Sequence, residues 1–375
     1  MDFEYTAEQQ LLRDTLTDYL TARYGLAESR AAARTGAGWQ PKIWHAFAEE
    51  VGILGASLPE AVGGSGGGPV ETMIIAEALG AALVVEPYVE TVVVGAGLLQ
   101  RAGGELAGNL LHGLVAGEVI TALAALEADS GYDLHRVGTT ARREGDGWVL
   151  DGAKVVVIAA PIATHLLVTA RIPGTEGVSL FLADAGVAGI TMHSYRTIDE
   201  RQAADLVFDG VRLPADALLG SEGGADDSLD AARDEAIAAI TAEAVGAMRR
   251  VLAETVAYAK QRQQFGVPIA SFQALQHRMV DMHLELEQAV AAAYLVTLKL
   301  GAAPAERARA AAAAKVTVAR AARVLGQESV QLHGAMGMTE ELVIGHFFKR
   351  LTAVRYEWGT ADGHTARYAA LTDPR

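Results

Sequence analysis

"AIAAITAEAVGAMRRVLAETVAYAK", residues 236–260, reads as unbroken helix: alanine has the best intrinsic helix propensity and no proline interrupts the run. Two further runs, Phe272–Leu300 and Ala303–His333, continue the pattern with Gly/Pro breaks between them. Three long helices in succession predict an antiparallel bundle over residues 223–375. The alanine-rich stretch 302–322 carries Arg307, Arg309, Lys315 and Arg320, which suit a solvated or interface helix better than a disordered linker.

Toward the N-terminus the character changes. "GWVLDGAKVVVIAA", "HLLVTARI", "GVSLFLADA" and "GITMHSY" are short runs rich in β-branched residues and punctuated by Gly, Asp and Pro, predicting a compact β domain over 118–222. Residues 1–117 read as mostly helical. Thr6 followed by Gln9 forms a capping-box pattern ahead of Leu12, Leu16 and Leu20, and further helices fall at Ile43–Val51 and Pro69–Leu79 around the glycine-rich loop "LPEAVGGSGGGP". The acidic "SEGGADDSLD" at 221–230 is read as a solvated hinge, since it lacks the ligand spacing of a calcium loop. The expected fold class is α+β, multidomain.

Half of the 375 residues are apolar, enough for a large core. A net charge of -15 without a basic stripe argues against nucleic acid, and any anionic cofactor would need local arginines. No apolar run reaches membrane-span length and "MDFEYTAEQQ" lacks the regions of a signal peptide, so no membrane partner and a cytoplasmic location are expected. With no cysteine, chemistry must run through carboxylates, histidines or a cofactor. His333 and His346 have no second ligand at suitable spacing, and no metal site is expected.

Three widely spaced stretches, "RQQFGVPIASFQ" at Arg262–Gln273, "QLHGAMGMTEE" at Gln331–Glu341 and "WGT" at Trp358–Thr360, together resemble the acyl-CoA dehydrogenase family. Segment order agrees over nearly the whole chain. The resemblance implies an N-terminal helical domain, a central β-barrel or sandwich and a C-terminal four-helix bundle. "GGPVETMI", "FGVPIASFQALQHRMVDM" and "GHFFKRLT" are most similar to the small-subunit type of pimeloyl-CoA dehydrogenase and other heteromeric members.

The resemblance implies FAD bound across a subunit interface, an acyl-CoA substrate from fatty-acid or steroid side-chain degradation, and electron transfer to an electron-transferring flavoprotein. Arg262, Gln264 and Phe265 match positions that reach a neighbour's FAD, and Gln331 with Gly334 match a second such contact. Gly359 and Thr360 match a flavin-contact pair. Positions that would hold the chain's own flavin ring depart from the family: Leu126 stands before Glu127 in place of a hydroxyl residue, and Val156 and Ile158 replace a Trp and a Thr. Val156 and Ile158 are read as core-strand residues. The chain is therefore expected to complete the FAD site of a second acyl-CoA dehydrogenase-like subunit. The alternatives are a catalytically silent structural subunit and a self-sufficient homo-oligomer.

The family's base precedes Gly-Thr, which by ungapped count from Gln331 is Trp358, with Glu357 one position early. An alternative family base position, counted back from Gly246, falls on Ala236, beside Asp234 and Glu235. Glu235 and Glu357 are the candidate bases. For Asp234 and Glu235 a helix-start role is the competing expectation, because acids there oppose the helix dipole.

Overall fold

The computed structural model describes residues 4–35 and 37–373, so Met1–Phe3 of the stretch read for a leader lie outside it. The chain divides into two compact units that interleave in sequence: one takes the chain up to Glu28, Pro69–Val84 and Ile237 onward, the other Ser29–Gly68 and Val85–Ala236.

The helical unit is built from α1 (Ala7–Arg23), α4 (Pro69–Ala82), most of α7 (Asp226–Gln261), α8 (Gln273–Lys299), α9 (Pro304–His333), α10 (Val343–Val354) and α11 (Ala361–Thr372). The capping box holds as expected: Thr6 Oγ1 accepts from Gln9 N at 3.2 Å and Thr6 N donates back to Gln9 Oε1 at 3.1 Å. Pro304 opens α9 and Gly334, at φ 63°, closes it. The core interleaves Met248, Met282, Leu286, Val318, Leu325, Phe347 and Leu351. Where α4 crosses α7 the backbones themselves touch. A Cβ on Gly80 would collide with the carbonyl of Glu243, and one on Gly246 with the carbonyl of Glu77. Arg249 Nε pairs with Glu77 beside this contact at 2.8 Å.

The other unit contains most of α2 (Leu26–Arg34), α3 (Pro41–Glu49), a π-helical turn Val89–Gly95 leading into α5 (Ala96–Ala102), α6 (Gly104–Val115), the start of α7 and two four-stranded sheets. One sheet has the order β1 (Thr121–Ala124), β4 (His165–Ala170), β5 (Ser179–Asp184), β8 (Leu218–Leu219). The other has the order β2 (Thr140–Glu144), β3 (Gly147–Ile158), β7 (Gln202–Leu213), β6 (Ile190–Arg196). Their inward residues share a core of Trp148, Leu150, Val168, Phe181, Leu206 and Phe208, with Trp148 and Phe181 edge to face at 5.2 Å. A buried Lys154 is satisfied by Glu127 and Thr169, each at 2.8 Å. Burial draws its pKa down to about 8, partly offset by Glu127.

Two expectations change here. The second half of "SEGGADDSLD" is not a hinge but the opening of α7. Asp226 Oδ1 accepts from Val178 N at 3.1 Å, and His135 lies 3.1 Å from Asp226 and 2.9 Å from Asp230. Acids at this position favour the helix N-terminus and give the loop before β2 a docking point. Val156 is not a core-strand residue. The β3–β7 register shifts between Lys154 and Val157, and Val156 sits on that bulge at φ 52° with 49% of its surface exposed. Its amide donates to Asp205 Oδ1 at 2.9 Å, which also accepts from Tyr195 at 3.0 Å. Ile158 remains half-buried in the strand opposite Ala203.

Candidate functional site

At one end of the helical unit α7 runs out into a hairpin, β9 (Gln263–Gln264) and β10 (Val267–Pro268). Its two-residue turn, Phe265–Gly266, has φ 55° and 79°, the double positive φ of a type I′ connection. Glycine adopts this freely, whereas phenylalanine does so at a cost. Arg262, Gln264 and Phe265 are all exposed, Phe265 to 92%, with its ring edge-on to Phe272 at 6.1 Å. Gln331, on the last turn of α9, and Gly334, which ends it, are exposed as well. A stack between Tyr258 of α7 and His333 of α9, ring centroids 4.2 Å apart, joins the two helix ends that carry these segments. An arginine, two amides and an aromatic ring presented outward suit an anionic dinucleotide with a planar base.

The turn after α10 behaves differently. The Glu357 carboxylate is held by the Arg350 guanidinium, with Nη2 3.0 Å from Oε2 and a second, shorter contact from Nη1. Arg350 also forks onto Glu243 of α7 at 2.7 and 3.0 Å. Lys315, fully buried on α9, donates to the carbonyl of Val354 at the end of α10. Trp358 follows at φ 57°, its carbonyl accepting from His364 Nε2 at 2.8 Å and its indole against Ile237, Ala238, Val296, Ala311 and Ala314. Gly359, at φ 113°, is required there, since a Cβ would approach His364 Nε2 to 2.8 Å. The Thr360 hydroxyl caps α11 by accepting from Gly363 N at 3.1 Å. The position before Gly-Thr thus carries an indole, and the neighbouring carboxylate is spent on an arginine.

In the β-containing unit Glu235 lies nine residues into α7, beyond the first turn, so the helix-start role does not apply to it or to buried Asp234. It forms an ion pair with Arg101 of α5, both side chains about a quarter exposed. Gly97 makes room for them, because a Cβ there would lie 2.8 Å from Glu235 and 3.0 Å from Arg101. Sequence reasoning missed Arg101, whose partner lies far along the chain.

Near β1, Glu127 turns inward. It accepts from Gly138 N at 2.7 Å, Thr139 N at 2.9 Å, Thr139 Oγ1 at 2.7 Å and Lys154 at 2.8 Å. Burial alone would raise its pKa, but the hydrogen bonds from Lys154 and Thr139 outweigh it and hold the carboxyl below its usual range. Leu126, Val156 and Ile158 offer no side-chain hydrogen-bond donor. Arg262, Gln264, Phe265 and Gln331 thus present outward groups of the kind a flavin dinucleotide would use, and Leu126, Val156 and Ile158 supply no side-chain donor to its ring. Among the described residues, no group of three or more His, Asp or Glu is placed to hold a metal ion, and no helix is long and apolar enough to cross a membrane.

Comparison with known proteins covers the chain almost end to end. Family models match for the acyl-CoA dehydrogenase N-terminal domain over residues 6–118, the middle domain over 122–211 and the C-terminal domain over 231–370. Acyl-CoA dehydrogenase FadE12 of Mycobacterium tuberculosis is 31% identical, over 90% of this chain and 89% of its own. Benzylmalonyl-CoA dehydrogenase of Aromatoleum aromaticum is also 31% identical, over 80% of this chain and 81% of its own. Among solved structures, the ChsE4–ChsE5 complex from Mycobacterium tuberculosis superposes with a TM-score of 0.89 at 26% identity, covering 100% of this chain and 99% of that one.

Proposed function

Because the chain belongs to the acyl-CoA dehydrogenase family, FAD-dependent oxidoreductases acting on CH–CH bonds, we propose that it works as one subunit of an assembly that desaturates an acyl-CoA thioester between Cα and Cβ. In that assembly its exposed hairpin and turn complete the FAD site of a neighbouring subunit. The observation that carries this reading is the contrast between two sets of residues. Arg262, Gln264, Phe265, Gln331 and Gly334 face outward, whereas Leu126, Val156 and Ile158 lack the donors a flavin ring would need.

Arg262 would counter the cofactor's pyrophosphate charge, and the Gln264 and Gln331 amides would orient it. When bound, FAD supplies the hydride acceptor for the substrate's Cβ. The α-proton needs a carboxylate, and in this chain Glu235 is the better candidate. It must leave Arg101 to act, whereas Glu357 is enclosed with Arg350 and Glu243. Exposed apolar residues along α8, Val280, Leu284, Leu295 and Leu298, favour an assembly over a lone chain. By analogy with the benzylmalonyl-CoA relative, a bulky or dicarboxylic acyl group is the proposed substrate, with an electron-transferring flavoprotein as acceptor.

A second reading, a catalytically silent subunit, is supported by the engagement of both candidate carboxylates with arginines. Measuring FAD per chain by visible spectrum, for the chain alone and for the complex recovered through a tag on it, tests the main reading. Low occupancy alone and high occupancy in the complex are expected; full occupancy alone would overturn it. Glu235→Gln and Glu357→Gln then separate the two readings: turnover lost in either at unchanged stability supports a catalytic role, and unchanged turnover in both a silent subunit.

A further inference from the structure

The hairpin 262–268 and the turn 331–338 leave two different helices, yet both are expected to meet one cofactor. What joins their bases is the Tyr258–His333 stack, with ring planes 25° from parallel. Each residue of the stack is tied to its segment. The Tyr258 carbonyl accepts from Arg262 N at 2.8 Å, and Ile269 N closes the hairpin onto the Arg262 carbonyl at 2.8 Å. His333 is buried, and its Nδ1 donates to the Ser329 carbonyl at 2.8 Å, which fixes the ring on α9. The turn beyond folds directly against it: a Cβ on Gly337 would lie 2.9 Å from the Val330 carbonyl and 3.1 Å from His333 Cβ. Burial keeps the imidazole pKa below its usual range, so the ring stacks in its neutral form.

We propose that Tyr258 and His333 are positioning residues that set the spacing between the hairpin and the turn, so that Arg262 and Gln331 engage a single dinucleotide without either segment having to be ordered on binding. The inference rests on the cofactor-completing reading above. Its physical basis is pre-organisation: two independently mobile loops would each lose conformational freedom on binding, whereas a shared aromatic base has already lost it. The stack touches the bases of the two segments and leaves their outward side chains free.

Amide hydrogen exchange on the full chain tests the coupling. Tyr258→Ala should speed exchange in both 262–272 and 331–339 by about fivefold to tenfold, the scale of one aromatic pair, while Tyr258→Phe and His333→Phe, which keep a stack, should stay within about twofold of wild type. A response confined to the hairpin, or equal throughout the bundle, would overturn the coupling. In the complex recovered through a tag, Tyr258→Ala should lower retained FAD several-fold and Tyr258→Phe should restore it. Wild-type retention in Tyr258→Ala would overturn the positioning role. Arg262→Ala, which leaves the stack intact, reports on the underlying reading: if it keeps full FAD, the cofactor contact fails, whatever the exchange data show.

Discussion

Removing Arg350 should cost the helical unit more than removing either of its carboxylate partners singly. Its side chain and that of Glu243 are each 4% exposed, whereas Glu357 is 20% exposed. Arg350→Met takes the guanidinium from a deeply buried Glu243, and breaking such a pair from one side costs about 3–5 kcal/mol. Glu357→Gln keeps the fork between Arg350 and Glu243 and loses a charged hydrogen bond at the wetter end, for about 1.5–3 kcal/mol. The double change Arg350→Met with Glu243→Met exchanges ions for apolar volume and should recover most of the loss. Urea unfolding followed by circular dichroism, compared at constant m-value, reads these differences. A cost below about 1 kcal/mol for Arg350→Met, or a double variant no better than the single, would refute the reasoning. So would a Glu357→Gln protein that loses turnover at unchanged stability, since Glu357 would then be serving as the base.

Gly246→Ala should destabilise by about 3 kcal/mol or more, the upper end for overpacking, because the added carbon meets a backbone carbonyl that cannot swing away; thermal melting checks it. Val156→Gly should stabilise by about 1 kcal/mol through release of a β-branched residue from positive φ, read by the same melts; destabilisation would mean that the bulge is favoured by the valine itself. His135 gives a pH signature. Burial lowers its pKa, but hydrogen bonds and charge from Asp230 and Asp226 outweigh it and raise the pKa above the ordinary imidazole value. The resulting stability is fully present below the unfolded pKa and lost as pH rises through the folded one. His135→Gln should therefore weaken the chain at about pH 6 and leave it nearly unchanged at about pH 9, with equal effects at both contradicting the assignment.

The long helices were legible because alanine, leucine and their periodic spacing act locally, and the Thr6–Gln9 box marked a helix start to the residue. The strands around Trp148, Leu167 and Phe181 announced themselves by β-branched runs. Gln202–Leu213 did not, since two adjacent alanines, Ala203 and Ala204, and the outward pair Asp209–Gly210 interrupt its alternation, while Asp205 faces out in register to serve Val156 and Tyr195. The start of α7 was hidden by glycines and acids that look like a loop until His135 and Val178 are brought to them in space. In the candidate site, the motif residues could be located from sequence, but their state could not. That Glu235 faces Arg101, and that Arg350 stands between Glu243 and Glu357, depends on residues distant in the chain. No local pattern encodes such pairs.

The glycine crossing of α4 and α7 also has a consequence for biosynthesis. α4 leaves the ribosome with Met73, Ala76 and the bare backbone at Gly80 uncovered, and the helix that receives them begins only after the whole β-rich segment has been made. At ordinary elongation rates that delay is on the order of ten seconds. Throughout it, an apolar helix must be kept from other nascent chains, so slowed translation between Ala82 and Asp226, or a stop codon within that interval, would favour aggregation of a piece that no later helix arrives to cover.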